Sequence, residues 1–212
     1  MTSKKINDSF AEIYISYTMK NLLLLFLFVL SMQVSHVSAQ KQIEVEGVVL
    51  PRTIDFKQRQ LMLNGVGIRS KMWVDVYVQA LYLSELSQDA ERIIESNSEM
   101  AIRLQITSSM VTSDKLSKSL NKGLVKSIGD GNLANFKSQI AMLESLLNKE
   151  KTVKDDAFNL IYNSADESLW VFKNDRYEGK IPGFEFKKLF FGIWLSNKPV
   201  DEKLKNDLLG KS

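Results

Sequence analysis

Residues 63–83 read LNGVGIRSKMWVDVYVQALYL. The stretch sets one arginine, Arg69, between the glycines at 65 and 67 and the strongest apolar alternation in the chain. From Met72 to Leu83 the even positions Met72, Val74, Val76, Val78, Ala80 and Tyr82 form one apolar face, the mark of a strand with a period of two. The odd positions, Trp73, Asp75, Tyr77, Gln79 and Leu81, are aromatic and polar, so that face meets either solvent or a lined cavity. Arg69 and Tyr77 share parity. On one straight strand they would lie about 26 Å apart, at about 3.3 Å per residue. A reversal at Ser70-Lys71 would place them on neighbouring strands instead. A guanidinium offers a planar fork of donors, and with a phenol hydroxyl it makes a carboxylate clamp. The alternative is that Arg69 caps the sheet edge and pairs with an acid.

Working outward, Ile43 to Leu50 alternates and reads as a strand closed by Pro51; residues 55–59 read as a polar connection; Gln60 to Ile68 reads as a second strand. Ser87 is placed to cap a short helix over Gln88–Glu95, and Met100–Thr107 alternates as a strand. From Thr112 the period changes. Leu116, Leu120, Leu124 and Ile128 recur every fourth residue, and Leu133, Phe136, Ile140, Leu143 and Leu147 mark a second helix after the turn at residues 129–132. Phe158–Asn163 and Ser168–Lys173 read as a hairpin, Asp175–Lys180 as a further strand, Phe184–Leu195 as an aromatic-rich helix and Asp201–Leu209 as a final short one. The order of strands, helices, strands and helices predicts an α+β fold: a large antiparallel sheet with a helical layer on one face.

Composition removes several classes of function. The 212 residues carry 28 basic and 25 acidic side chains, a balance unlike that of a nucleic-acid binder. There is no cysteine, hence no disulfide, thiolate metal site or thiol nucleophile. The single histidine, His36, falls in a segment that reads as a leader: MKNLLLLFLFVLSMQVSHVSAQ, residues 19–40, has a lysine, an apolar run and small residues up to Ala39. That three-part pattern predicts a signal peptide over residues 19–39 with cleavage between Ala39 and Gln40, and so a periplasmic or secreted protein with no stable membrane anchor. Residues 1–18 are mixed and polar, and Met19 is the expected physiological start. The domain is expected over residues 40–212, without an imidazole for base catalysis or metal ligation.

Other candidates have plainer readings. Lys115, Lys118, Lys122 and Lys126 fit the wet side of an amphipathic helix. Gly129-Asp130-Gly131 lacks the ending of a phosphate loop and reads as a turn. Asp155-Asp156 and Asp166-Glu167 lack a third ligand, so no metal is expected. Gly123, within a helix, calls for a close approach by another helix or by a ligand. Phe184, Phe186, Leu189, Phe190, Phe191 and Trp194 line either a ligand cavity or the core side of a docking helix.

The opening stretch, together with GFEFKKLFFGIWLSNKPVDEKLKNDLLG at residues 183–210, resembles the chalcone isomerase-like family in its bacterial secreted branch. The resemblance runs from about Ile43 to Gly210 and implies an open-faced β-sandwich with a ligand cleft between sheet and helices. In that family, true isomerases close a flavanone ring, whereas non-catalytic relatives hold the carboxylate of a fatty acid with an arginine and a tyrosine. Arg69 matches the arginine common to both. Tyr77 falls where isomerases have threonine and the fatty-acid binders have tyrosine. The isomerase tyrosine and asparagine fall at Leu116 and Gly123, which offer no side-chain hydrogen bond. The resemblance therefore implies an exported, non-catalytic binder of a fatty acid or similar amphiphile, with Arg69 and Tyr77 at the head group and no cofactor. The alternatives are an intramolecular lyase of the chalcone isomerase type, acting on a phenolic or enone substrate, and a structural module whose cleft its own side chains fill.

Overall fold

The computed structural model describes residues 42–71, 73–129 and 131–211. The expected extension and leader lie outside them. Seven strands form one antiparallel meander: β3 (Thr53–Phe56), β4 (Arg59–Lys71), β5 (Val74–Leu83), β6 (Met100–Ile106), β7 (Ala157–Asn163), β8 (Ser168–Lys173) and β9 (Arg176–Pro182), each beside its neighbours in sequence. Among the described residues five α-helices accompany them, α1 (Ala90–Glu95), α2 (Ser113–Ile128), α3 (Lys137–Leu147), α4 (Phe184–Leu195) and α5 (Glu202–Leu208), with a short 3-10 turn over Leu133–Phe136. The family-like α+β architecture expected above is the one observed.

The main core lies between sheet and helices. Tyr77, Leu81 and Leu83 of β5, with Ile102 and Leu104 of β6, pack against Leu116, Leu120 and Leu124 of α2 and the aromatic residues of α4. From Phe186 to Leu195, only Lys188 of α4 is not buried. Phe190 meets Phe191 and Trp194 edge to face, at 5.7 and 5.4 Å between ring centroids. A helix covered on nearly every side lies inside the molecule. These rings are core, which decides between the two readings open at the sequence level.

The odd-numbered side of β5, expected to meet solvent or a cavity, is thus the side that carries the main core, and the even-numbered apolar side is covered as well. Ile43 to Pro51 is a tight hairpin, β1 (Gln42–Val45) and β2 (Val48–Pro51), instead of one strand. Its turn residues Glu46 and Gly47 both have positive φ, 48° and 74°, the backbone a two-residue hairpin turn requires. Leu50 of this hairpin is fully buried in a second cluster with Val78, Ala80 and Tyr82, and the Tyr82 hydroxyl donates to the Pro51 carbonyl at 2.8 Å. β3 occupies part of what reads as a polar connection. The polar residues there belong to a short edge strand and its turn.

Two glycines fix how α5 lies. A Cβ on Gly67 would meet Asp207 Cβ at 2.7 Å and Leu204 Cδ1 at 2.8 Å. One on Gly65 would meet the Leu208 carbonyl carbon at 2.6 Å, and the Asp207 and Leu208 oxygens closer still. The glycines thus serve close approach, and β4 runs unbroken through them apart from bulges at Leu63/Gly65 and Arg69/Ser70. Gly123 has the same role on α2, where a Cβ would meet Ile193 Cγ2 of α4 at 2.6 Å. The lysines of α2 face outward. Asp89 caps α1 in place of the expected Ser87, its side chain accepting from Arg92 N at 3.1 Å.

Candidate ligand site

The β4–β5 register places Arg69 directly opposite Tyr77, and Gly67 opposite Gln79. The chain does reverse, but between Lys71 and Val74 and not at Ser70-Lys71, which are paired strand residues, and Arg69 and Tyr77 share the helix-facing side of two adjacent strands. Tyr77 is 4 % exposed and Gln79 fully buried. The Tyr77 hydroxyl accepts a hydrogen bond from Trp194 Nε1 of α4 at 3.4 Å. Among the described residues nothing accepts its own proton. Burial raises the Tyr77 pKa; the Trp194 bond and the Arg69 charge pull it down, and Asp201 pushes it up. The phenol is a neutral donor at physiological pH.

Arg69 already holds a carboxylate. Its Nη1 donates to Asp201 Oδ2 at 2.9 Å and to the Ser70 carbonyl at 2.9 Å. Asp201 is the N-cap of α5, and its other oxygen accepts from Leu204 N at 3.0 Å. The acid pairing weighed at the sequence level is thus present. The two side chains are 26 % and 24 % exposed, so the pair is half-buried and contributes about 1 kcal/mol or less. Among the described residues Arg69 Nε and Nη2 make no hydrogen bond. That edge of the guanidinium, the one suited to a bidentate carboxylate, is unspent.

Gln79 carried no local signal beyond its place on the polar face of β5. Neither its amide nitrogen nor its carbonyl oxygen has a partner among the described residues. Such a group costs about 1–3 kcal/mol. Leu116 and Gly123, at the isomerase tyrosine and asparagine positions, are both buried in the core. The candidate metal pairs are otherwise engaged: Asp156 pairs with Lys173 at 3.0 Å, and Asp166 with Lys180 at 2.9 Å. Among the described residues no three metal-ligating side chains converge.

Two hollows lie away from Arg69 and Tyr77. One, of about 440 Å³, lies between α1, α4 and the end of α2, with Ile94, Ile128, Phe136, Leu189 and Leu195 among its walls and Lys188, Glu95 and Glu185 on its rim. The other, of about 130 Å³, lies between β5, α1 and β6. Beside Arg69 and Tyr77 stand Asp201, paired with the guanidinium, and Trp194, bonded to the phenol.

Lys187 of α4 is a polar anchor that sequence patterns do not expose. It is fully buried, and its ammonium donates to the Ile93, Ile94 and Ser96 carbonyls at 3.3, 2.7 and 2.6 Å, gripping the C-terminal end of α1. Burial pushes its pKa down to about 8, against a pull upward from Glu95.

Residues 41–210 match the family model described as chalcone isomerase-like. No curated protein matches the chain. Among solved structures, the crystal structure of an Arabidopsis thaliana fatty-acid binding protein aligns over 79 % of this chain and 95 % of its own, with a TM-score of 0.66 and 16 % sequence identity. A likeness at that identity carries the fold.

Proposed function

We propose a function for this chain, which belongs to the chalcone isomerase-like family: it binds a fatty acid or similar amphiphilic carboxylate between sheet and helices without transforming it. The observation that carries this reading is the pairing of Arg69, with an unspent donor edge, directly across from the buried Tyr77 hydroxyl, with an unspent proton. Asp201 stands where the guest's carboxylate would bind, and the guest enters by displacing it. α5, only seven residues long and packed on β4 at Gly65 and Gly67, is the element that moves. The acyl chain then takes up apolar surface along the core, at about 0.8 kcal/mol per buried methylene. The fold-level likeness to a fatty-acid binding protein supports the reading. The apolar core positions of Leu116 and Gly123 support a binder over an isomerase, because ring closure needs polar groups that orient a phenolate and stabilise an enolate. Export rests on the leader pattern at residues 19–39.

A second reading, a structural module filled by its own side chains, draws on the same Arg69–Asp201 pair and on the position of both hollows away from it. Displacement of a fluorescent fatty acid by dodecanoate separates the two. The binder predicts saturable displacement in wild type, weakened at least tenfold in Arg69→Ala and several-fold in Tyr77→Phe. Equal displacement in all three proteins removes the head-group assignment, and none in wild type supports the filled module. Turnover of a chalcone above its spontaneous rate would restore the lyase.

A further inference from the structure

Three side chains among the described residues have a buried polar atom without a partner: Gln79, itself fully buried, and the partly exposed Arg103 and Asn121. Arg103 is held by Asn159 and Gln105, and Asn121 donates to Glu144. Gln79 alone has neither end of its amide paired. Its cross-strand neighbours cannot help, since Gly67 has no side chain and Leu104 is apolar. Asp207, packed over Gly67, accepts at its Oδ2 from Lys203 Nζ at 2.8 Å. Replacing Gln79 by leucine would suit this apolar setting better, so the amide is retained at a cost to the unliganded fold.

Its position relative to the head-group residues gives that cost a use. Gln79 lies two residues beyond Tyr77 on the same face, about 6.7 Å along the strand. With carbon–carbon bonds of about 1.5 Å, each advancing an extended chain by about 1.3 Å, that offset corresponds to about five bonds, fewer once the glutamine side chain reaches back. An amide with a free donor and a free acceptor is matched by a hydroxyl, which is both, or by a carbonyl at its nitrogen. We infer that Gln79 is a second polar station in the ligand site and that the guest is an oxygenated acyl carboxylate, its hydroxyl or keto oxygen on about the third to fifth carbon, the carboxyl carbon counted as the first. The inference rests on the head-group reading of Arg69 and Tyr77 and narrows its ligand class.

The test compares dodecanoate, 3-hydroxydodecanoate and 12-hydroxydodecanoate as competitors of a fluorescent fatty acid, in wild type and Gln79→Leu. Wild type should prefer the 3-hydroxy acid over dodecanoate by about tenfold and gain nothing from the 12-hydroxy acid. Gln79→Leu should bind dodecanoate at least as well as wild type, lose the preference and melt at a higher temperature without ligand. Equal affinities for dodecanoate and the 3-hydroxy acid in wild type overturn the inference and leave the fatty-acid reading intact. Failure of all three acids to bind wild type removes both. A crystal structure of wild type with the 3-hydroxy acid decides independently of the variant's folding: the hydroxyl oxygen bonded to the Gln79 amide supports the inference, and an ordered water alone on that amide overturns it.

Discussion

Gly65→Ala tests how α5 is held over the candidate site. The added methyl would lie 2.6 Å from the Leu208 carbonyl carbon and closer still to two backbone oxygens, whereas carbon contacts settle at about 3.5–4.0 Å. No rotamer change relieves this, because the obstructing atoms are backbone. The helix must move outward by roughly 1 Å, opening contacts made by Leu204 and Leu208, both now fully buried. Overpacking of this kind costs about 1–3 kcal/mol, and backbone obstruction puts it near the top of that range. At about 2–4 °C per kcal/mol for a chain of this size, the melting temperature should fall by about 6–12 °C. Gly47→Ala is the control: nothing lies within 4 Å of its methyl, and only the positive φ of 74° is penalised, at about 1–2 kcal/mol. Thermal melts of both variants, with hydrogen exchange of the Glu202–Leu208 amides, give the readout. A Gly65→Ala protein that melts within 2 °C of wild type, or whose α5 amides exchange no faster, would refute the packing argument.

Asp201→Asn keeps a competent N-cap but removes the internal carboxylate from Arg69, so dodecanoate should bind several-fold more tightly in a titration than to wild type. The folded Lys187 pKa of about 8 lies below its ordinary 10.5, so the unfolded chain binds more protons between those values. Urea midpoints should therefore rise with pH from about 8 towards 10, and Lys187→Met should flatten that rise while freeing the end of α1. Above pH 10 the sign reverses at Tyr162, whose pKa burial raises to about 12 with the help of Glu167, Asp166 and Glu99; stability is lost as pH rises through that value, checked by absorbance at alkaline pH. For Asp156, burial opposes ionisation but bonds from Asn174, Val153 and Lys173 outweigh it and lower the pKa; its contribution is present above pH 3.8 and lost as pH falls through the lowered value. Asp156→Ala leaves Lys173 buried and unpaired and should cost about 3–5 kcal/mol in urea unfolding at neutral pH.

Much of the sheet is written locally. The alternation of β5 and β6 and the polar turn between β7 and β8 are short-range patterns, and both long helices follow from fourfold apolar spacing with Thr112 as the cap of α2. The β1–β2 hairpin is not written that way, because alternation continues through a turn whose first residue is Glu46, an unusual choice at positive φ. β3 is an edge strand too short and too polar to separate from a loop. At the site, parity and a chain reversal were enough to bring Arg69 to Tyr77. The partner of Arg69 was not legible, since Asp201 lies 132 residues away and is brought over β4 only by the docking of α5. Gln79 sat on a face that could equally have been wet, and Lys187 lay in a helix where a lysine ordinarily faces solvent. Their burial depends on which helix covers which strand.

The most direct test is a crystal structure of the chain from Gln40 onward, grown with dodecanoate. The account predicts the ligand carboxylate on Arg69 Nε and Nη2 and on the Tyr77 hydroxyl, each at about 3 Å, with Asp201 turned away. Asp201 still seated on Arg69, with dodecanoate beside Lys188 in the cleft between α1 and α4 or nowhere, would contradict it.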